Sequence, residues 1–294
     1  MTSAFTLLSA ASAPGSKVNE DAYGVWPMEE PRAAWVLDGV TGINDRALLP
    51  GPSDANWFVA QVQQVLPALL SRGADMPIVD LVVALVTELE QRQSASWLDP
   101  RGADGRETPA ASFAFARLLG DDVEIARLGD CLVLLESADG SLSVLDDPVL
   151  QRIEAETRQM VLDLRATGAT DPQEIRQRMM PTLRRQRHRR NQADGYGVLA
   201  SEQSCVPMIT IDHWPARRLR RLLLASDGYY RLVDHYHALS DMELVRQVEQ
   251  QGATALLDRL RAIESGDPLG LQYPRLKMAD DATALLMGVE GSSA

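Results

Sequence analysis

The chain has 294 residues, 45% hydrophobic and 24% charged, with a formal net charge of −12. That length and apolar content suit a single domain over 1–294 with one large core, and the acidic balance excludes a nucleic-acid partner, which would need a positive face. No apolar run reaches the ~20 residues of a membrane helix, and the two cysteines, Cys131 and Cys205, provide neither a disulfide framework nor a thiolate zinc site.

Residues 1–14 lack a basic leader region and break their apolar stretch with serines, unlike a secretory signal. With the sparse cysteines, this predicts a cytoplasmic protein. Runs at 5–10, 22–25 and 33–37, bounded by Gly, Pro and Asn, read as strands. Segments 56–70 and 78–91 carry apolar residues at helical spacing, as in Ile78, Leu81, Val82, Leu85 and Leu89. A loop over 97–109 follows, with Gly102 and Gly105. Runs at 111–119, 123–128, 132–136 and 142–145, separated by Gly-Asp and Asp-Gly turns, predict antiparallel hairpins. From 148 to 190 the chain turns charged and Arg-rich. Gly168 and the Asp171-Pro172 pair split this stretch into two helices, with Asp171 as N-cap. Strands are expected again at 196–199 and 221–226, then helices at 241–251 and 253–263, then a last strand at 283–288. This order suits an α/β (α+β) sandwich: two packed antiparallel sheets flanked by helix pairs, with a helical insertion at about 148–195.

Four acidic motifs share one design, a carboxylate at a predicted strand end beside a turn residue. They are Asn19-Glu20-Asp21, Asp38-Gly39, Ser226-Asp227-Gly228 and Asp280-Asp281. Strand ends hold side chains rigidly, and glycine lets backbone approach a ligand. Hard divalent cations want several oxygens, and gathered carboxylates are tolerated when cations offset their repulsion. Any one motif alone reads as an ordinary turn, and Asp104-Gly105, Asp139-Gly140 and Asp194-Gly195 are assigned so.

Taken in order, the segments VNEDAYGV (18–25), VLDGVTG (36–42), ARLGDCL (126–132), LLASDGYYRLV (223–233) and ADDATALL (279–286) resemble the signature of the type 2C, metal-dependent protein serine/threonine phosphatases. The resemblance spans almost the whole chain. It implies that Asp38 bridges two Mn²⁺ or Mg²⁺ ions, that the Gly39 carbonyl binds one, and that Asp227 and Asp280 hold the other. Glu20 and Asp21 would supply a ligand and an orienter of the attacking water, with either assignment open. Water would attack phosphorus in line with no covalent enzyme intermediate, so neither cysteine is needed as nucleophile.

The chain departs from the family pattern in places. Where the family carries a phosphate-clamping arginine stands Ser16, with Lys17 beside it, and a lysine attracts phosphate without a bidentate fork. Arg231 stands where an aspartate often helps hold a third ion, whereas Asp130 keeps the other expected ligand. The Arg-rich stretch 184–190, including Arg189 and Arg190, falls where the family has its variable flap. It would bind substrate phosphate or, equally, form a solvated helix end. His213, His235 and His237 are read as packing or exposed residues.

The expected function is hydrolysis of phosphoserine or phosphothreonine in a phosphoprotein. Two alternatives stay open, a phosphatase of small phosphate esters and a catalytically weak relative that only binds.

Overall fold

The computed structural model describes residues 3–40, 47–98 and 108–291. The Asp104-Gly105 turn and the Thr41-Gly42 end of the second motif lie outside the described residues. Strands β1 (Ala4–Ala13), β2 (Asp21–Trp26) and β3 (Ala33–Gly39) come first, then helices α1 (Asp54–Arg72) and α2 (Ile78–Ser96). The hairpin block is β4 (Ala110–Leu119), β5 (Asp122–Leu128), β6 (Leu132–Ser137) and β7 (Leu142–Leu145). Helices α3 (Pro148–Ala166) and α4 (Pro172–Arg187) form the Arg-rich stretch. Strands β8 (Leu199–Ala200), β9 (Thr210–Pro215) and β10 (Leu219–Ala225) lead into α5 (Asp227–Asp234), α6 (Asp241–Gln251), α7 (Ala253–Gly266) and β11 (Ala282–Glu290).

The strands form two antiparallel sheets. One runs β1-β11-β10-β6-β7 and the other β2-β3-β4-β5-β9, with β8 paired to β4. Strand periodicity of two sorts their side chains. In β3, Ala33, Trp35 and Leu37 pack outward under α1 and α2 with Phe58, Val62 and Leu85. Ala34 and Val36 point the other way, into the core between the sheets, where they meet Leu222, Leu224, Leu285 and Met287. On the far side Leu223, Ala225 and Leu286 pack beneath α5, α6 and α7. The result is helix, sheet, sheet, helix, because strands apolar on both faces need cover on both.

Helix ends follow their caps. Asp171 accepts from the Gln173 amide at the start of α4, and Ser240 with Glu243 closes a reciprocal capping box on α6. Three predicted details change. Thr210–Pro215 is a strand on the sheet edge, hidden in the sequence by its polar, half-exposed pattern. Helix α5 begins at Asp227 itself, where the sequence suggests only a turn. The strand expected at 196–199 shrinks to the two residues of β8 plus a bridge from Arg190 to Tyr196. Among the described residues no helix is long and apolar enough to cross a membrane.

Candidate active site

The acidic motifs meet at one end of the sandwich. Asp21 pairs with Asp38 across β2 and β3, and Asp38 with Ser112 across β3 and β4. Residues 34, 36 and 38 share a face by strand alternation, so this rung opens toward the space between the sheets. Ser112 donates its hydroxyl to Asp130, on the turn after β5, in a short hydrogen bond, and accepts from the Asp130 amide at 3.3 Å. Gly129 makes that turn possible at φ +94°, where a Cβ would strike Ser112.

The other sheet supplies the opposing wall. Asp227 caps the C-terminal end of β10 as the first residue of α5, and Asp280 precedes β11. Ser226 and Thr283, both fully buried, join these strand ends through Thr283 N to Ser226 Oγ at 2.9 Å. Asp281 accepts from the amides of Gly15 at 2.7 Å and Glu20 at 2.6 Å, so it fastens the first loop to the last strand. Gly39 approaches so closely that an added Cβ would lie 2.4 Å from the Glu20 carbonyl.

This crowding shows in the carboxyl pKa values. Burial, then the charges of Asp21, Asp227, Asp130 and Asp280, push Asp38 far up. Asp21 is also raised by burial, and the charges of Asp227 and Asp281 add to it. The nearby Ser226 hydroxyl offsets part of this, yet both Asp21 oxygens are buried without a hydrogen bond of good geometry. Burial and Asp227 push Asp130 up to about 7. Asp280 goes the other way. Burial acts upward on it, but Lys277 and Arg231 outweigh burial and hold it below the usual range.

Those two cations are in contact. Lys277 Nζ lies 2.7 Å from Asp280 Oδ1, and Arg231 Nη2 lies 2.8 Å from Asp280 Oδ2 and 3.6 Å from Asp227 Oδ2. Among the described residues no three carboxylate, histidine or cysteine side chains are already drawn around one point as a metal cage. The donor set nevertheless suits hard cations. It is all oxygen, carries surplus negative charge, and includes Asp21, whose buried oxygens make no hydrogen bond of good geometry.

A cavity of about 240 Å³ opens beside Asp38, Asp130 and Asp227. Its far wall is the α3–α4 pair, through Leu150, Ile153, Met180 and Leu183, with Arg176, Arg187 and Lys277 at its rim. Arginines of the flap stretch therefore reach the site, but different ones from those singled out in the sequence. Arg190 is buried and donates to Thr108 O at 2.6 Å and Thr108 Oγ1 at 2.5 Å. Arg189 is exposed and donates to Asp194 O. Neither lines this cavity, and neither does the exposed Lys17. Arg187 does, as the last residue of α4, with Asp130 and Glu20 acting on it electrostatically.

Sequence reasoning missed Ser112, Arg176 and Lys277, gave Asp281 no role of its own within its motif, and did not single out Arg187 within the 184–190 stretch. Of the three missed, Lys277 alone left a trace, as one of few lysines and three residues before Asp280. The histidines behave as packing or surface groups. His235 stacks edge-on against Tyr236, and burial pulls it down to about 4. His237 and His213 are exposed. Cys131 is buried, and burial and then Asp38 push its thiol well up, so it is no ready nucleophile.

A helix-flanked double sheet with carboxylates from both sheets at one edge defines a metal-dependent phosphatase. The family model for protein phosphatase 2C matches residues 12–261, and the chain belongs to that family. The fold is similar to the catalytic domain of serine threonine protein phosphatase PstP in complex with two manganese ions. Identity there is 17%, with 98% of this chain and 99% of that chain covered and a TM-score of 0.56. It is also similar to PppA, described as a key regulatory component of T6SS in Pseudomonas aeruginosa, at 16% identity, 98% and 100% coverage and TM-score 0.56. A third similar structure is the serine/threonine phosphatase Stp1 from Staphylococcus aureus, at 15% identity, 99% and 96% coverage and TM-score 0.53. No curated protein matches the chain. Family membership favours the enzyme over a descendant that only binds.

Proposed function

We propose that the chain is one catalytic domain that hydrolyses phosphoserine or phosphothreonine in proteins, with Mn²⁺ or Mg²⁺ held by Asp38, Gly39, Asp227 and Asp280. The observation that carries this reading is the meeting of Asp21 and Asp38 from one sheet with Asp227 and Asp280 from the other, with both buried oxygens of Asp21 lacking a hydrogen bond of good geometry. When bound, a divalent pair lowers the pKa of water and offsets charge on the phosphoryl oxygens.

The protein's own groups do the rest. Asp38 lies centrally in the acidic group and is the residue suited to bridging. Asp21, directly across the ladder from Asp38, would accept a hydrogen bond from the attacking water and orient it. Glu20 lies next to it, its amide fixed by Asp281. Asp130, held by Ser112, adds a peripheral carboxylate, without the second aspartate that a third ion would need, since Arg231 stands in that place. With Ser16 in place of the usual arginine, Arg187, Arg176 and Lys277 supply positive charge for the substrate phosphate. The apolar flap wall would seat the residue that bears it. The cavity also admits a small phosphate ester, so the two substrates need separate assays.

Turnover of p-nitrophenyl phosphate with Mn²⁺, abolished by EDTA, together with release of phosphate from phosphoserine and phosphothreonine peptides, is the expected result. Hydrolysis undiminished by chelator would sink the metal reading. Turnover of small esters alone would overturn the protein substrate.

A further inference from the structure

The Asp227–Asp280 side of the site already holds resident cations. Both oxygens of Asp280 are engaged, one by Lys277 at 2.7 Å and one by Arg231 at 2.8 Å. Arg231 projects from α5 one turn after Asp227 and is only 14% exposed. A divalent ion arriving at these carboxylates would meet a guanidinium on the same oxygen, and like charges that close repel strongly where little water screens them. Either the ion stays away or the arginine moves.

The structure provides a place for it to move to. Asp234 lies three residues further along α5, on the face of the helix that carries Arg231. Its Oδ1 is buried with no hydrogen-bond partner. Beside it stands Glu154 of α3, with Arg158 3.1 Å from Glu154 and 3.6 Å from Asp234. A cavity of about 190 Å³, lined by Arg231, Glu154, Arg158, His235, Lys277 and Asp280, runs from Arg231 to Glu154, and Asp234 lines the neighbouring cavity, which shares Glu154, Arg158 and Asp227 with it. One arginine thus has an acidic pair on either side and open space toward Glu154.

We propose that Arg231 is a two-position arm that neutralises Asp227 and Asp280 until a second divalent ion binds there, and then swings toward Asp234 and Glu154. The inference rests on the metal reading of the site. It explains how the acidic cluster folds before metal arrives, since Arg231 and Lys277 offset charge that would otherwise be unopposed. It also carries metal occupancy to α3, the helix whose Leu150 and Ile153 wall the substrate cavity. The second ion then closes the site and adjusts its flap in one event.

Isothermal titration of the full chain with Mn²⁺ alone, together with melting in EDTA, tests this. Arg231→Gln removes the competitor, so the weaker Mn²⁺ step should tighten at least about tenfold (~1.4 kcal/mol), while the metal-free melting temperature falls. Asp234→Asn removes the receiving carboxylate, so the same step should weaken about threefold or more (~0.7 kcal/mol), with no loss of metal-free stability. Opposite signs from two residues on one helix are the signature of an arm. Unchanged or weakened binding in Arg231→Gln, or shifts of the same sign in both variants, would overturn it. Should Arg231→Gln not fold, Lys277→Gln must tighten the weaker step in its place, and failure to do so counts equally against the arm. If wild type and variants alike bind no Mn²⁺, the metal reading falls with it, whereas equal binding in all removes the arm alone.

Discussion

Asp38→Asn separates the charge of this residue from its shape. Asp38 stands directly across the β2–β3 ladder from Asp21, at a side-chain spacing of about 5 Å for such pairs. At an effective dielectric of ~20, two carboxylates at that distance repel by roughly 3 kcal/mol. In the metal-free protein a bound proton relieves the repulsion, and burial and its neighbours raise Asp38 accordingly. A raised carboxyl contributes stability below its unfolded value near 4, and that stability is lost as pH rises through the folded value. Asparagine stays neutral throughout. The metal-free variant should therefore melt about 6–10 °C higher than wild type at pH 8, and nearly with it at pH 5. With saturating Mn²⁺ the order reverses for function. The residue proposed to bridge both ions is gone, and kcat should fall at least ~10³-fold, about 4 kcal/mol. Melting curves in EDTA at the two pH values and p-nitrophenyl phosphate turnover give the answer. Asp139→Asn, whose carboxylate serves only the exposed turn through Ser141, is the control and should keep full activity. More than a tenth of wild-type turnover in Asp38→Asn, or a lower metal-free melting temperature at pH 8, would refute the reasoning.

Mn²⁺ at ~100 times its dissociation constant should stabilise the wild type by about 2.7 kcal/mol, read as a melting shift that EDTA erases. Arg187→Ala should raise KM for a phosphopeptide about tenfold with little change in melting temperature. Arg190→Ala should do the opposite, costing about 1–3 kcal/mol of stability because it strips the Thr108 groups of their buried donor, and equal KM effects from both would refute the assignment. His235 is held near 4, so an unfolded chain takes up a proton before the folded one as pH falls below 6.5. Stability should drop across that window, by well under the full shift because the ring is partly exposed and screened, and denaturant melts of His235→Gln should show a shallower slope.

The layers of the fold were legible because their periods are clean. Ile78, Leu81, Val82, Leu85 and Leu89 lie on one helical stripe, and all are buried. Strand β9 was not legible, since an edge strand with exposed Thr210, Ile211 and His213 has no alternation to read. The acidic motifs announced themselves through the glycines and turn residues beside them. Their partners did not. Ser112 sits inside a buried, mostly apolar strand and matters only because register sets it opposite Asp38. The flap arginines show how helical phase decides function. Arg187 and Arg190 are separated by the end of α4, and the break sends one toward the carboxylates and the other into Thr108. No count of charges along the segment reveals that.

The Asp281 staple has a consequence for how the enzyme comes into being. Its two oxygens hold the amides of Gly15 and Glu20, while β11 lies between β1 and β10 in the sheet. On the ribosome, everything up to α7 can emerge before the strand that completes that sheet exists. The nascent chain therefore carries its first acidic motif unfastened for almost the whole of synthesis, and the carboxylates are gathered only when the last strand slots between two laid down earlier. A polypeptide cut short before residue 280 would be silent as a phosphatase, however much of the rest had folded.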